Sequence, residues 1–211
     1  MTGTSLKEYY EEYWRRDNPS PLDDPLASTR VRLLEEALAA EDVHRALDVG
    51  CGAGELVAAL GARGVDATGM DVAGAALELA ATAHPDLALV EHSAEDMPWP
   101  VDAGTLDLVT AFEVIEHLLR PRRLLEGATA ALRPGGLLAL TTPYHGLLKN
   151  VALATTHFDR HFDVEGDHIR FFSDRALRQL LESAGLTVEQ VRHFGRAPGL
   201  WAGVFVLGRR R

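Results

Sequence analysis

The run Ala46-Leu47-Asp48-Val49-Gly50-Cys51-Gly52-Ala53-Gly54-Glu55-Leu56 constrains this chain more than any other stretch. Its apolar start, its acid and its alternating glycines read as a buried strand, a glycine-rich turn and the opening of a helix. Glycine has no Cβ, so the backbone there can bend sharply and come within contact distance of a ligand. Open α/β sheets bind their ligands at the carboxyl ends of the strands, and such a turn sits at that edge.

The spacing narrows the ligand. A dinucleotide fingerprint runs G-x-G-x-x-G and sets a pyrophosphate on a helix N-terminus. Here the pattern is G-x-G-x-G, with Asp48 two residues before the first glycine. A carboxylate at that place repels a pyrophosphate and suits a ligand carrying an ammonium or sulfonium charge. The motif resembles motif I of the class I S-adenosylmethionine (SAM)-dependent methyltransferases. A nicotinamide-dependent oxidoreductase is the rival reading, because it shares the half-sheet. Val65 to Val72 reads as a second strand ending in Met70-Asp71-Val72. A carboxylate about 20 residues past the turn meets ribose hydroxyls. The resemblance implies that Asp71 grips both hydroxyls of the adenosine ribose, a role compatible with capping the helix that begins near Ala73.

At 211 residues the chain is most simply one domain with a sizeable core. Apolar residues at 46% and charged residues at 25% are ordinary for a globular protein. No membrane span and no basic-then-apolar leader are read, and the one cysteine fits a reducing, cytoplasmic setting. Cys51 stands inside the turn, where a small side chain is wanted, and reads as packing. The formal charge of −10 lacks the basic stripe that displaces counterions from phosphates, so a small molecule is favoured over nucleic acid. Oligomeric state is left open.

Strand and helix signals alternate along the chain. Strands are expected near Arg45–Gly50, Asp66–Val72, Leu87–His92, Leu106–Phe112 and Leu137–Thr142. Helices are expected over residues 3–16, with Leu6, Tyr9, Tyr10, Tyr13 and Trp14 on one face, and near Ala27–Ala40, Gly54–Ala62, Ala73–Ala83, Pro121–Leu132 and Asp174–Ala184. A Pro/Asp break covers Asn18 to Pro25. Two closing strands, Thr187–Phe194 and Gly203–Gly208, are joined by a link too short for a crossover and so must be antiparallel. The expected fold is α/β: a Rossmann-like, seven-stranded, mostly parallel sheet with a C-terminal antiparallel hairpin and helices on both faces. Within one methyltransferase domain over 1–211, residues 1–44 read as an N-terminal helical lid or cap and 45–143 as the SAM-binding core. Residues 144–172 read as a substrate-side insertion, and 173–211 as the C-terminal helix and hairpin.

The resemblance assigns further residues. Cofactor contacts are expected from Asp48, Gly50, Cys51, Gly52, Gly54, Asp71, Val72 and Phe112. The loop His92-Ser93-Ala94-Glu95-Asp96-Met97-Pro98-Trp99 is expected to cradle adenine through Ser93, Ala94 and Glu95. Ser93 stands where the family usually has aspartate; Glu95 or Asp96 could compensate, or both are simply acids of the loop. Trp99 reads equally as core or as a ring-stacking partner.

The fourth strand runs into Glu113-Val114-Ile115-Glu116-His117, three reactive side chains in five positions at the edge that faces the methyl group. This E-x-x-E-H string resembles that of ubiquinone-pathway O-methyltransferases and small-RNA 2′-O-methyltransferases. In those families the two glutamates and the histidine can ligate a divalent metal such as Mg²⁺, together with a later histidine. Gly166 takes the matching later place here, flanked by His161 and His168. The resemblance therefore leaves two roles for Glu113, Glu116 and His117: metal ligands, or a histidine base with its orienting acids.

The segment from Pro143 to Ser173 is longer than usual connections and holds four of the nine histidines. His145 is the second choice of base, Tyr144, His145, His168 and Phe171 are the expected acceptor contacts, and Ser173 is the expected cap of the next helix. The function expected is methyl transfer from SAM to a small-molecule hydroxyl on a sugar, quinone, phenol or natural product. N-methylation of an amine follows, and a catalytically silent SAM-binding protein is the remaining rival.

Overall fold

The structure, a computed structural model, describes residues 6–17, 24–161 and 168–211. Residues 3–5 of the expected first helix, residues 18–23 of the Pro/Asp break and Gly166 lie outside the described residues, as does the side chain of Leu6. Seven strands form one sheet: β1 (Arg45–Val49), β2 (Asp66–Asp71), β3 (Ala88–Glu91), β4 (Leu106–Phe112), β5 (Leu132–Pro143), β6 (Leu186–Phe194) and β7 (Gly203–Arg210). Their order is β3-β2-β1-β4-β5-β7-β6. The strand neighbours of β1 are β2 and β4, both parallel to it, so the winding reverses direction there. A crevice opens outside the strand ends at such a switch point. β7 runs antiparallel to both β5 and β6; toward β6 this follows from the short link from Phe194 to Gly203, which cannot hold a crossover.

Eight α-helices accompany the sheet among the described residues: α1 (Leu6–Asp17), α2 (Ala27–Ala37), α3 (Glu55–Gly61), α4 (Gly74–Ala83), α5 (Pro121–Ala131), α6 (Leu147–Thr156), α7 (Phe158–His161) and α8 (Asp174–Ser183). Successive strand residues point to opposite faces, and two cores result. On one face Leu124, Leu125 and Ala128 of α5 and Leu177 and Leu181 of α8 join the cluster of Leu47, Val109, Leu138 and Val206. On the other, Leu33 and Leu34 of α2 and Leu60 of α3 join Ala46, Leu108, Leu137 and Phe205. Trp99 belongs to the first core: it is 5% exposed, its Nε1–H donates to the Ala94 carbonyl, and it presses on Gly127.

Two expectations are corrected. β5 begins five residues earlier than the apolar run, drawing Arg133–Gly136 into an irregular pairing with β4. The segment after Pro143 also contains α6 and α7. Leu147–Thr156 is rich in leucine and alanine, both strong helix formers, and that local preference prevails. A 3₁₀ turn over Ile115–His117 follows β4. Ser173 caps α8 by accepting from Ala176 N–H at 3.3 Å.

α1 is tied to the sheet edge from far away in sequence. The Glu11 carboxylate accepts the N–H groups of Gly74 at 2.7 Å and Ala75 at 3.3 Å. It thereby satisfies first-turn amides of α4 that no residue of α4 can reach, with its charge at the favourable end of the helix dipole.

Candidate cofactor and methyl-transfer site

Gly50, Gly52 and Gly54 adopt φ values of 70°, 52° and 84°, in the left-handed region. The turn they form is stitched to β2. Gly50 and Cys51 N–H both donate to the Met70 carbonyl, at 2.7 and 3.2 Å, and Gly52 N–H donates to Asp71 Oδ2 at 3.0 Å. The glycines serve different ends. A Cβ on Gly50 would fall 2.4 Å from Val114 Cγ2, and one on Gly54 would fall 2.7 Å from Leu87 Cδ1, so these two positions admit close packing. A Cβ on Gly52 would meet the Trp14 ring of α1 at 3.0 Å. Cys51 is 8% exposed, and burial beside Asp48 and Asp71 pushes its thiol upward, which keeps it protonated and unreactive.

Asp48 is the penultimate residue of β1 and is 4% exposed. Its Oδ1 accepts the Thr110 hydroxyl at 2.6 Å, and no cation among the described residues pairs with it. Burial raises its pKa to about 7; the Thr110 bond opposes the rise and the Asp71 charge adds to it. Asp71 is likewise raised by burial, against the pull of backbone N–H groups at Ala73, Gly52 and Val72. Ala73 N–H donates to its Oδ1 at 2.9 Å, so the helix-opening role is present.

These residues line a cleft of about 630 Å³. Its floor is Asp48 to Ala53; one wall is Asp71, Val72, Ser93 and Ala94, and the other is Phe112, Glu113, Val114 and His117. Tyr10, Tyr13 and Trp14 of α1 and Arg30 of α2 also line it. Glu113 holds a positive φ of 55°, rare for a residue with a side chain, and its Oε1 accepts the Thr141 hydroxyl at 2.8 Å. His117 meets Tyr10 edge-on with centroids 5.9 Å apart.

Several expected site residues are placed elsewhere. Glu95 is buried but turned out of this cleft: its carboxylate accepts Arg120 N–H and pairs with the Arg120 guanidinium at 3.7 Å, and it borders a smaller depression with Asp96. Glu116 is fully buried behind the wall, with Oε1 3.8 Å from His117 Nε2. Tyr144 is off the cleft, packing its ring on His193 at 4.7 Å. His145 is 5% exposed, off the cleft, and accepts or donates at Nδ1 with Asn150 Oδ1 at 3.0 Å. Burial lowers its pKa to about 4, which makes it a weak proton acceptor at neutral pH. Phe171 packs edge-on against His145 at 4.8 Å.

The set able to hold a metal is also corrected. Ligand atoms of Glu116, His117 and His168 lie within 4.8 Å of one another, whereas the Glu113 carboxylate is engaged by Thr141 and is not in this group. The exchange is topological. The backbone bend at Glu113 directs it into the cleft, while Ile169 and Arg170 N–H donate to the Glu116 carbonyl and bring the 168–170 segment alongside.

Arg30 was not foreseen. Its side chain is 12% exposed, paired with Asp24, and within the electrostatic reach of Glu113 and Glu116; burial lowers its pKa and those acids oppose it. Its helical pattern resembles that of Arg32, which instead pairs with Glu36 at 2.6 Å. Only the helix's docking against the cleft tells the two apart.

A family model described as "Methyltransferase domain" matches residues 14–191. A ubiquinone biosynthesis O-methyltransferase of Coxiella burnetii is 28% identical over 184 residues, covering 83% of this chain and 77% of that protein. Among solved structures, magnesium protoporphyrin IX methyltransferase from Synechocystis, with S-adenosylhomocysteine bound, aligns at a TM-score of 0.74 and 14% identity over 98% of both chains. A SAM-dependent methyltransferase from Archaeoglobus fulgidus aligns at 0.69 and 16% identity, over 96% of this chain and 98% of that one. The nicotinamide reading gives way to a family match that runs from α1 through the glycine turn and β1–β5 into β6. On that match, and on a seven-stranded sheet in which β7 alone runs antiparallel, the chain belongs to the class I SAM-dependent methyltransferases.

Proposed function

We propose that the protein transfers the SAM methyl group to a hydroxyl of a small molecule, with His117 receiving the acceptor's proton. One observation carries this reading: His117 lines the same cleft as the Asp48–Gly52 ledge, with the Glu116 carboxylate 3.8 Å from its Nε2. Oxygen as the acceptor atom is supported by the O-methyltransferase relatives.

The residues present fit the cofactor. Asp48 is a buried carboxylate with no paired cation among the described residues, suited to the methionyl ammonium, and Arg30 is a buried guanidinium suited to the methionyl carboxylate. Asp71 would take the ribose hydroxyls, Ser93 and Ala94 the adenine edge, and Val72 and Phe112 the apolar faces. Gly50, Cys51 and Gly52 would present the backbone of the turn to the cofactor, whereas Gly54 is not among the cleft-lining residues and packs against Leu87 instead. When bound, SAM supplies an electrophilic methyl group on a sulfonium.

The chain's own part is positioning and proton transfer. Holding the reactants in line can contribute about 7–11 kcal/mol in favourable systems. His117 takes the hydroxyl proton, and Glu116 steadies the resulting imidazolium; general-base help is worth about 10²–10⁴-fold. Glu113, between Arg30 and the acceptor side, orients rather than accepts. Residues 1–44 serve as a lid, with Tyr10, Tyr13 and Trp14 excluding water, 45–143 as the cofactor core, 144–172 as the acceptor-side insertion and 173–211 as the closing helix and strands.

A second reading is supported by the closeness of Glu116, His117 and His168. One carboxylate with two imidazoles suits a transition metal such as zinc or iron(II) better than Mg²⁺. Such an ion would lower the acceptor hydroxyl's pKa. Phenols, sugars and amines incubated with isotopically labelled SAM, with EDTA or with added Zn²⁺, Mn²⁺ or Mg²⁺, separate these readings. Labelled ether product insensitive to EDTA supports the base; loss restored by one metal supports the ligand set; labelled amine or no product from an enzyme that binds SAM overturns O-methylation.

A further inference from the structure

Along the carboxyl edge of the sheet the charge changes sign. Asp71, Asp48 and Glu113 stand at the ends of β2, β1 and β4, where the cofactor's cationic groups belong. Past β5, where the Asp174 carboxylate is engaged by His193 at 3.0 Å, two basic side chains stand without a carboxylate in ion-pair contact among the described residues. Lys149 of α6 is 7% exposed, and its Nζ donates to the Ala202 carbonyl at 3.3 Å, the same carbonyl that accepts Tyr144 N–H at 3.1 Å. That one carbonyl uses one of its three donors, and no carboxylate among the described residues lies in ion-pair contact with it. Arg196, in the link between β6 and β7, has a positive φ of 49°, and its guanidinium makes no hydrogen bond or ion pair among the described residues. His145 and His161, centroids 5.4 Å apart, complete the cluster.

An ammonium held out of water with only a carbonyl for company is costly. Burial lowers Lys149 to about 8, Arg196 pushes it the same way, and Glu113 is the acid that opposes them. A chain of net charge −10 does not gather cations here through general basicity. The cluster has the electrostatics of an anion site, next to the wall that carries Glu113.

We infer that Lys149 and Arg196 bind an anionic oxygen group, carboxylate or phosphate, on the methyl acceptor, so that the acidic half of the edge takes the cationic donor and the basic half an anionic acceptor. This deepens, and rests on, the methyl-transfer reading. The specificity residues would then be Lys149 and Arg196, with His145 and His161 as neutral hydrogen-bonding partners.

The test uses binding, independent of turnover. The full chain loaded with S-adenosylhomocysteine is titrated calorimetrically with catechol, 3,4-dihydroxybenzoate and catechol monophosphate. The expected result is about tenfold or more tighter binding of at least one anionic probe than of catechol, as charge-assisted hydrogen bonds provide. Carboxylate and phosphate arms name the source. Lys149→Met is expected to erase the preference, Arg196→Gln to reduce it, and neither to change S-adenosylhomocysteine affinity. Removing a buried charge leaves Lys149→Met well folded, and exposed Arg196→Gln is a second probe if it does not. Equal binding of neutral and anionic probes, no binding of any, or a preference that survives both substitutions overturns the inference. Failure of S-adenosylhomocysteine itself to bind would instead strike the methyl-transfer reading.

Discussion

The Thr110 hydroxyl reaches across from β4 to donate a 2.6 Å hydrogen bond to Asp48 Oδ1 on β1, and both residues are buried. The bond holds the carboxylate in place without neutralising it. The result is an acid whose pKa of about 7 falls in the working range and whose natural partner is a ligand cation.

SAM affinity should therefore depend on pH. The free protein is partly protonated at Asp48 near pH 7, while an ammonium favours the ionised form. Calorimetry from pH 8.5 to 5.5 should show affinity level above about 7 and falling below it, by up to about tenfold per pH unit, with proton release on binding. In Asp48→Asn the affinity should be weaker throughout and the pH dependence lost.

The same carboxylate costs the ligand-free fold. A folded pKa raised above its unfolded value of about 3.9 means that its stabilising share is present below pH 4 and lost as pH rises through about 7. Asp48→Asn should accordingly raise the stability of the ligand-free protein at pH 8, by up to about 4 kcal/mol, with little gain at pH 4. Urea melts at the two pH values measure it; equal gains at both would count against the buried-charge account.

Gly52→Ala should harm binding more than Gly61→Ala. Gly52 has a φ of 52° and a Cβ site 3.0 Å from the Trp14 ring, whereas a Cβ on Gly61 meets nothing within 4 Å. The left-handed strain is about 1–2 kcal/mol, and Trp14 must also give way. Thermal melts and SAM titration of both variants check this.

His117→Ala should lower kcat by about 10²–10⁴-fold with SAM affinity kept. His145→Gln should leave the slope of the pH–rate profile in place, because a residue lowered to about 4 and held by Asn150 is not the base. Arg30→Ala should do the reverse of His117→Ala, weakening SAM binding by about tenfold or more. Steady-state kinetics beside equilibrium titration separate the three.

Trp99→Ala should cost about 3–5 kcal/mol of stability, because the ring fills the space over Gly127, where a Cβ would lie 2.2 Å from Trp99 Cε2. Chemical denaturation of the ligand-free protein measures it. A cost near zero would remove Trp99 from the core.

Local chemistry made much of this legible. The strand, the glycine turn and the helix after it lie within a dozen residues, and their hydrophobic pattern and missing Cβ atoms dictate backbone shape without help from distant parts. The antiparallel closing strand followed in the same way from the length of its link. What the chain alone could not decide is which side chains meet across the sheet edge. Glu113 and Glu116 are three residues apart, yet one turns into the cleft and the other behind it, because a positive φ intervenes and the 168–170 segment docks on the Glu116 carbonyl. Arg30 enters the site, and Lys149 is buried beside Ala202, only when α2 and α6 settle on their neighbours. Such contacts join residues far apart along the chain, so they are set by packing, and neither periodicity nor spacing carries them.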